Sequence, residues 1–251
     1  MIDMRRVYLI DEYKNDKNKF TNSKNWNDFK NSFLIISKRC PFCETKITKS
    51  TADIDHYRPQ HIYPFLKYTI SNYILICKDC NGARYKGGKF PIYKDLPNAK
   101  NENELNNEKP LLINPTQDDI FEFFELKFLI TKSSKKILAL IPKDKNINSY
   151  KYQKAKESID IYGLGDCDEN TKVNIDECRI ELLEDYYETF FEYAKSMYKL
   201  LNNKIKTTIE KREVLREINK FESKAVNKRY GYYKFIQKNQ FIITIPNLNK
   251  I

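Results

Sequence analysis

Cys40-Pro41-Phe42-Cys43 is followed, 33 residues later, by Cys77-Lys78-Asp79-Cys80. Between the pairs lies Asp53-Ile54-Asp55-His56-Tyr57-Arg58-Pro59, with Asn72 five residues before the second pair and Asn81 directly after it. In a reducing compartment, two matched C-x2-C pairs denote a metal site rather than a disulfide framework. Four thiolates close a tetrahedron, which suits structural Zn2+ and leaves no open position for catalysis. A zinc held by Cys40, Cys43, Cys77 and Cys80 would pin together the ends of residues 44–76. Pro41 favours a tight turn in the first knuckle.

The local patterns run outward from this frame. Residues 51–57 alternate and predict a short strand ending at Pro59, and residues 73–76 form a second apolar run leading into Cys77. Asn81-Gly82 and Gly87-Gly88 are breakers, with a short helix expected between them. Upstream, Trp26, Phe29, Phe33 and Ile36 mark one face of a helix. Downstream, the polar run 98–109 reads as an exposed linker, and residues 110–115 are apolar and bounded by prolines. Residues 121–130 and 136–141 predict two strands joined by a turn over 131–134. From Tyr150 the pattern is helical, with a long stripe through Leu183, Tyr187, Phe190, Ala194, Met197 and Leu201. A further helix is expected over 204–222 and a strand over 241–245. Tyr186, Phe191 and Tyr198 lie off the stripe, as a partner surface or a second buried face. Cys167 and Cys178 read as packed thiols.

The formal net charge is +11, from 45 basic and 34 acidic residues. Residues 1–97 hold 18 Lys/Arg against 10 Asp/Glu, and residues 98–251 hold 27 against 24, so most of the excess lies in the first part. A basic region suits a polyanion such as nucleic acid. The Lys-, Asn- and Ile-rich composition also matches an AT-rich coding bias, so charge alone adds little. No run approaches ~18 apolar residues, which excludes a transmembrane helix. The N-terminus lacks a signal-peptide pattern, so a cytoplasmic protein is expected. The chain has no G-x4-GK[ST] loop to support ATP hydrolysis.

The ordered pattern C-x2-C … D-H-x-x-P … N-x4-C-x2-C-N resembles the HNH, or ββα-metal, nuclease family in its zinc-braced form, over about residues 37–91. The resemblance implies an α+β fold. A ββα-metal core with a structural zinc occupies residues 1–97, and a mainly helical region with a β-hairpin, expected to bind a partner, occupies residues 98–251. It also implies that His56 is the general base and that Asp55 and Asn81 hold a catalytic Mg2+ or Mn2+. Asn72 then braces the histidine loop. Asn81 stands where the family name has a histidine, which favours Mg2+ over a softer metal. A histidine with a pKa near ~6.5 is poised to take a proton from water at neutral pH, and a hard cation on carboxylate and amide oxygens offsets phosphate charge. Arg58 and Lys86 are expected to hold substrate phosphates. His61 reads as a surface residue.

The flanking sequences Cys40-Pro41-Phe42-Cys43-Glu44, Ile54-Asp55-His56-Tyr57-Arg58-Pro59, Cys80-Asn81 with Tyr85-Lys86-Gly87 and Phe90-Pro91 are similar to PtuB-type HNH proteins of bacterial anti-phage systems. The runs 108–115, 118–119, 121–123 and 159–164 are similar to later segments of the same group. That likeness implies a nuclease subunit working beside an SMC/ABC-like (PtuA-like) ATPase, as in Septu and some retron systems, with phage or host DNA as the favoured substrate. The alternatives are cleavage of RNA, including tRNA, by a retron-type toxin; a non-catalytic zinc module that binds nucleic acid or protein; and a modification-dependent restriction enzyme whose base reader is residues 98–251.

Overall fold

A computed structural model of the chain describes residues 30–31, 33–34, 38–130, 136–165, 196, 199 and 205–227. Within them the fold is α+β: two small antiparallel sheets, short helical turns around them and longer helices in the C-terminal part. The first sheet pairs β1 (Ala52–His56) with β2 (Tyr73–Cys77) in the register His56↔Tyr73 and Ala52↔Cys77. Both strands lie where the alternation over 51–57 and the apolar run over 73–76 predict them. β2 is buried along its whole length, as an unbroken Tyr-Ile-Leu-Ile-Cys run requires.

The short helix α1 (Lys78–Asn81) follows β2 directly, so it precedes the glycine breakers instead of lying between them. Cys77 caps it, its sulfur accepting from the Cys80 N–H at 3.4 Å. Gly82 is extended at the C-terminus and the chain turns through residues 83–88. Gly87 has φ +47°, a conformation that favours glycine, and a Cβ there would lie 3.1 Å from Ala83 Cα.

Farther along, Asp119 caps the turn α2 (Ile120–Phe123) by accepting from the Phe121 N–H. This cap draws residues 121–123 out of the expected strand. β3 (Phe124–Ile130) then pairs with β4 (Lys136–Pro142) as the predicted hairpin. Helix α3 (Tyr150–Tyr162) starts at the N-cap Ser149, whose hydroxyl accepts from the Tyr152 N–H at 3.0 Å. It buries Lys154, Ala155, Ser158, Ile159 and Tyr162, one face at helical spacing. It ends on Gly163 at φ +63°. Gly165 bridges to Leu140, where a Cβ would collide with the Leu140 carbonyl. Helix α4 (Thr208–Asn227) begins four residues later than its pattern suggests.

Of the upstream helix face, Phe33 is helical and fully buried. Trp26, Phe29 and Ile36, the stripe from Leu183 to Leu201, Tyr186, Phe191, Tyr198, Cys167, Cys178 and the turn and strand expected at 131–134 and 241–245 lie outside the described residues. The polar run 98–109 is mostly exposed, coiled over Glu102–Asn107, but Glu108 at its end is buried. One apolar core joins both sides of this run: Phe42 and Ile74 pack in the same cluster as Leu112, Ile113, Ile159 and Tyr162. Phe42 of the first knuckle stacks on Tyr162 of α3 with ring centroids 3.9 Å apart. Among the described residues, no helix is long and apolar enough to cross a membrane.

Candidate nuclease site and its zinc brace

The two cysteine knuckles meet as the spacing requires. All four cysteines are buried, and their sulfurs lie within 4.8 Å of one another. Cys43 Sγ and Cys77 Sγ are 3.7 Å apart. That is far beyond a disulfide bond and matches the edge, about 3.8 Å, of a tetrahedron with Zn–S bonds of ~2.3 Å. The cluster is consistent with a zinc site. The first knuckle closes through Glu44, whose φ of +61° turns the chain so that Glu44 N–H donates to the Cys40 carbonyl and Cys40 N–H to the Thr45 carbonyl. Hydrogen bonds from the neighbouring thiols lower Cys77, and the one from Cys40 lowers Cys43 to about 7. Burial pushes Cys40 up.

One end of the hairpin carries the predicted acid and histidine. His56 is the last residue of β1 and is 8% exposed. Its Nε2 lies 2.8 Å from the Lys67 carbonyl, which also accepts from the Tyr73 hydroxyl at 2.7 Å. A carbonyl only accepts, so Nε2 carries the proton and the lone pair sits on Nδ1. Tyr73 meets the imidazole edge-on at 5.1 Å. Burial pulls the imidazole below the ordinary histidine range, opposed by the Lys67 carbonyl and Asp55, so the neutral ring is favoured.

Asn72 clasps the backbone just past the histidine. Its Oδ1 accepts from the Arg58 N–H at 2.7 Å, and its Nδ2 donates to the Arg58 carbonyl at 2.9 Å and the Leu66 carbonyl at 3.4 Å. The amide is 2% exposed.

Asp55 is 7% exposed, with its Oδ2 2.6 Å from Lys86 Nζ. Lys86 also donates to the His56 carbonyl at 2.7 Å and is 1% exposed. Burial pushes Asp55 up and Lys86 down, and the contact between them opposes both shifts. The expectation that Lys86 faces substrate phosphates thus meets a different geometry: its ammonium points inward, onto the acid and the histidine backbone. Arg58 is turned inward as well. Its Nε donates to Glu108 Oε2 at 2.7 Å, and its guanidinium lies within 6 Å of the Tyr57, Tyr63 and Phe90 rings.

Asn81 is the last residue of α1 rather than the residue that opens the helix. Its Nδ2 lies 3.4 Å from Asp53 Oδ2. Asp53 and Asp55 are two apart on β1 and share a strand face, so this face offers two carboxylates and an amide. These hard oxygen donors fit Mg2+ or Mn2+. His61 is exposed, beside Gly88.

Four participants escaped the sequence reading. The Lys67 carbonyl and the Tyr73 hydroxyl orient the histidine, and Asp53 faces Asn81. Glu108 ties the Arg58 loop to residues 98–109 by also accepting from the Tyr63 hydroxyl and the Ala99 N–H. A backbone carbonyl leaves no sequence signal. Glu108 sits in a polar run, and only the adjoining Pro110-Leu111-Leu112 hinted at burial.

The HNH endonuclease family model matches residues 40–87. Those residues form an HNH domain, held by the four-cysteine cluster and bearing the Asp55-His56 end of the hairpin. The chain is 30% identical over 107 residues to the Septu protein PtuB of Bacillus mycoides (strain KBAB4), an overlap covering 37% of this chain and 36% of that protein. It is also 30% identical over 115 residues to the Septu protein PtuA of the same strain, covering 39% of this chain and 16% of that protein. The chain thus spans about a third of the first relative and about a sixth of the second. No solved structure matches.

Proposed function

We propose that the chain is a metal-dependent endonuclease that hydrolyses phosphodiester bonds in nucleic acid, with DNA favoured. We further propose that it is the nuclease subunit of an anti-phage defence complex whose SMC/ABC-like, PtuA-like ATPase gates it. The observation that carries the nuclease reading is the 2.8 Å contact of His56 Nε2 with the Lys67 carbonyl, beside the buried Asp55. With Nε2–H committed to the Lys67 carbonyl, Nδ1 holds the lone pair that takes a proton from water. A structural zinc ribbon has no use for such an oriented histidine beside a buried acid. His56 is the general base, and Asn72 fixes the loop from which it projects. Asp55 and Asn81 would hold the cation, and Asp53, on the same strand face as Asp55, meets the Asn81 amide. A bound Mg2+ or Mn2+ supplies charge neutralisation at the phosphate. Lys86 and Arg58 act as positioning residues, through Asp55 and Glu108 respectively. Cys40, Cys43, Cys77 and Cys80 hold the structural Zn2+. The defence-complex reading is supported by the likeness to proteins named PtuB and PtuA.

The test is cleavage of DNA and RNA by the full chain with added Mg2+ or Mn2+, alone and with the protein encoded beside it. His56→Ala is expected to lower the rate about 10²–10⁴-fold, with folding and zinc content unchanged. Wild-type activity in purified His56→Ala protein would assign the base elsewhere. Cleavage confined to RNA would move the substrate from DNA to RNA.

A further inference from the structure

We propose that Lys86 and Lys30 are counter-charges built into the cation site, which keep its affinity for divalent metal low until a substrate phosphate adds negative charge. This rests on the nuclease reading and deepens it: metal and nucleic acid load together, each raising the affinity for the other. Asp53 and Asp55 share one face of β1, and each meets a lysine. Asp55 Oδ2 lies 2.6 Å from Lys86 Nζ, with both side chains buried. Whichever of the two holds the proton, that pair is neutral. Asp53 Oδ1 lies 3.6 Å from Lys30 Nζ, with the side chains 34% and 17% exposed. Asn81, whose amide lies 3.4 Å from the other Asp53 oxygen, carries no charge. The face therefore offers hard oxygen donors whose negative charge is already matched by ammonium groups. Lys86 is also held in place. Its ammonium donates to the His56 carbonyl at 2.7 Å, so swinging away would break a second buried bond, and salt screens a buried charge poorly. Affinity for hard cations follows the charge of the ligand set, and Mg2+ is typically held by one or two carboxylates together with substrate phosphates. With the carboxylates balanced, the phosphate supplies the missing charge. Binding linkage is reciprocal, so the cation must tighten the nucleic acid by the factor that the nucleic acid tightens the cation.

The test measures Mn2+ binding by electron paramagnetic resonance. The protein is the full zinc-loaded chain carrying His56→Ala, which slows cleavage, alone and with a DNA duplex or an RNA of the same sequence. Without nucleic acid, the Mn2+ dissociation constant is expected at about 10⁻⁴–10⁻³ M or weaker. A bound probe is expected to tighten it about 5- to 150-fold, with the same factor in the effect of Mn2+ on the probe. Adding Asn81→Ala is expected to remove this coupling. Lys30→Gln is expected to tighten Mn2+ binding without nucleic acid about two- to fivefold, and Lys86→Gln by more, because its charge is buried. Lys30→Arg, which keeps the charge, is expected to bind Mn2+ like its parent. If Lys86→Gln fails to fold, Lys30→Gln decides alone. A dissociation constant below about 10⁻⁵ M without nucleic acid overturns the proposal and leaves the nuclease reading standing. So does an Mn2+ affinity that neither probe changes, or one unchanged in the lysine-to-glutamine variants. No Mn2+ bound in any arm, with or without a probe, removes the nuclease reading, and this inference with it.

Discussion

A lysine with 1% of its surface exposed needs a compensating charge, and Lys86 finds one in Asp55 at 2.6 Å. The same ammonium reaches the His56 carbonyl, so one side chain fixes the acid's carboxylate and the histidine's backbone together. Removing one member of a buried pair strands the other charge, at a cost of about 3–5 kcal/mol. Lys86→Met is therefore expected to lower the urea unfolding free energy by about that amount. Lys86→Met with Asp55→Asn is expected to lose less than the sum of the single changes, because the stranded charge is gone. A Lys86→Met loss below about 1 kcal/mol, typical of an exposed pair, would show that the ammonium is solvated. From the sequence, Lys86 was expected to flank the site and hold a substrate phosphate. Nothing in the sequence distinguishes an inward lysine from an outward one, because the turn at Gly82–Gly88 sets that direction.

At the scale of elements, β1, β2 and α1 are short pieces of five, five and four residues. A two-stranded hairpin is marginal in water by itself. The knuckles supply the missing constraint, since Cys77 ends β2 while Cys40 and Cys43 lie before β1. Zinc bound there is folding energy. The protein is expected to carry about one zinc per chain, and a strong chelator is expected to unfold the hairpin and release it. Amide exchange along β2 reads this out: protection that survives stoichiometric zinc removal would show that the core holds the hairpin without the metal. The strands and the cysteine frame were legible because alternation and C-x2-C spacing are local signals. The position of α1 was not, because the Cys77 sulfur takes the capping N–H and starts the helix before the glycines.

The molecule as a whole is knitted across the expected boundary at residue 97. The Tyr57 hydroxyl donates to the Leu112 carbonyl at 2.6 Å, Arg58 Nε donates to Glu108 Oε2 at 2.7 Å, and Tyr162 lies flat on Phe42. Truncation after residue 97 would therefore remove part of the core that supports the site, and is no clean test of a partner-binding role for the remainder. The intact chain provides one. Residues 98–251 hold 27 basic and 24 acidic residues, a weak balance for gripping a phosphate backbone. Full-length tagged protein expressed from its native locus is expected to co-purify with an ATPase encoded beside it. A chain that stays monomeric in that company and cuts nucleic acid at full rate alone would make residues 98–251 a substrate-binding region instead.

The sequence by itself determined the cysteine frame, the two strands of the first sheet and the existence of two further strands near 121–130 and 136–141, because each is a matter of spacing or period along the chain. The tertiary structure decided which way the long side chains point and what orients them. Lys86 and Arg58 turn inward because buried carboxylates from Asp55 and Glu108 await them, one of which is 50 residues away along the chain. The tautomer of His56 depends on a carbonyl eleven residues later. Such contacts join residues through space, and their energy depends on burial, which no local pattern in the chain records.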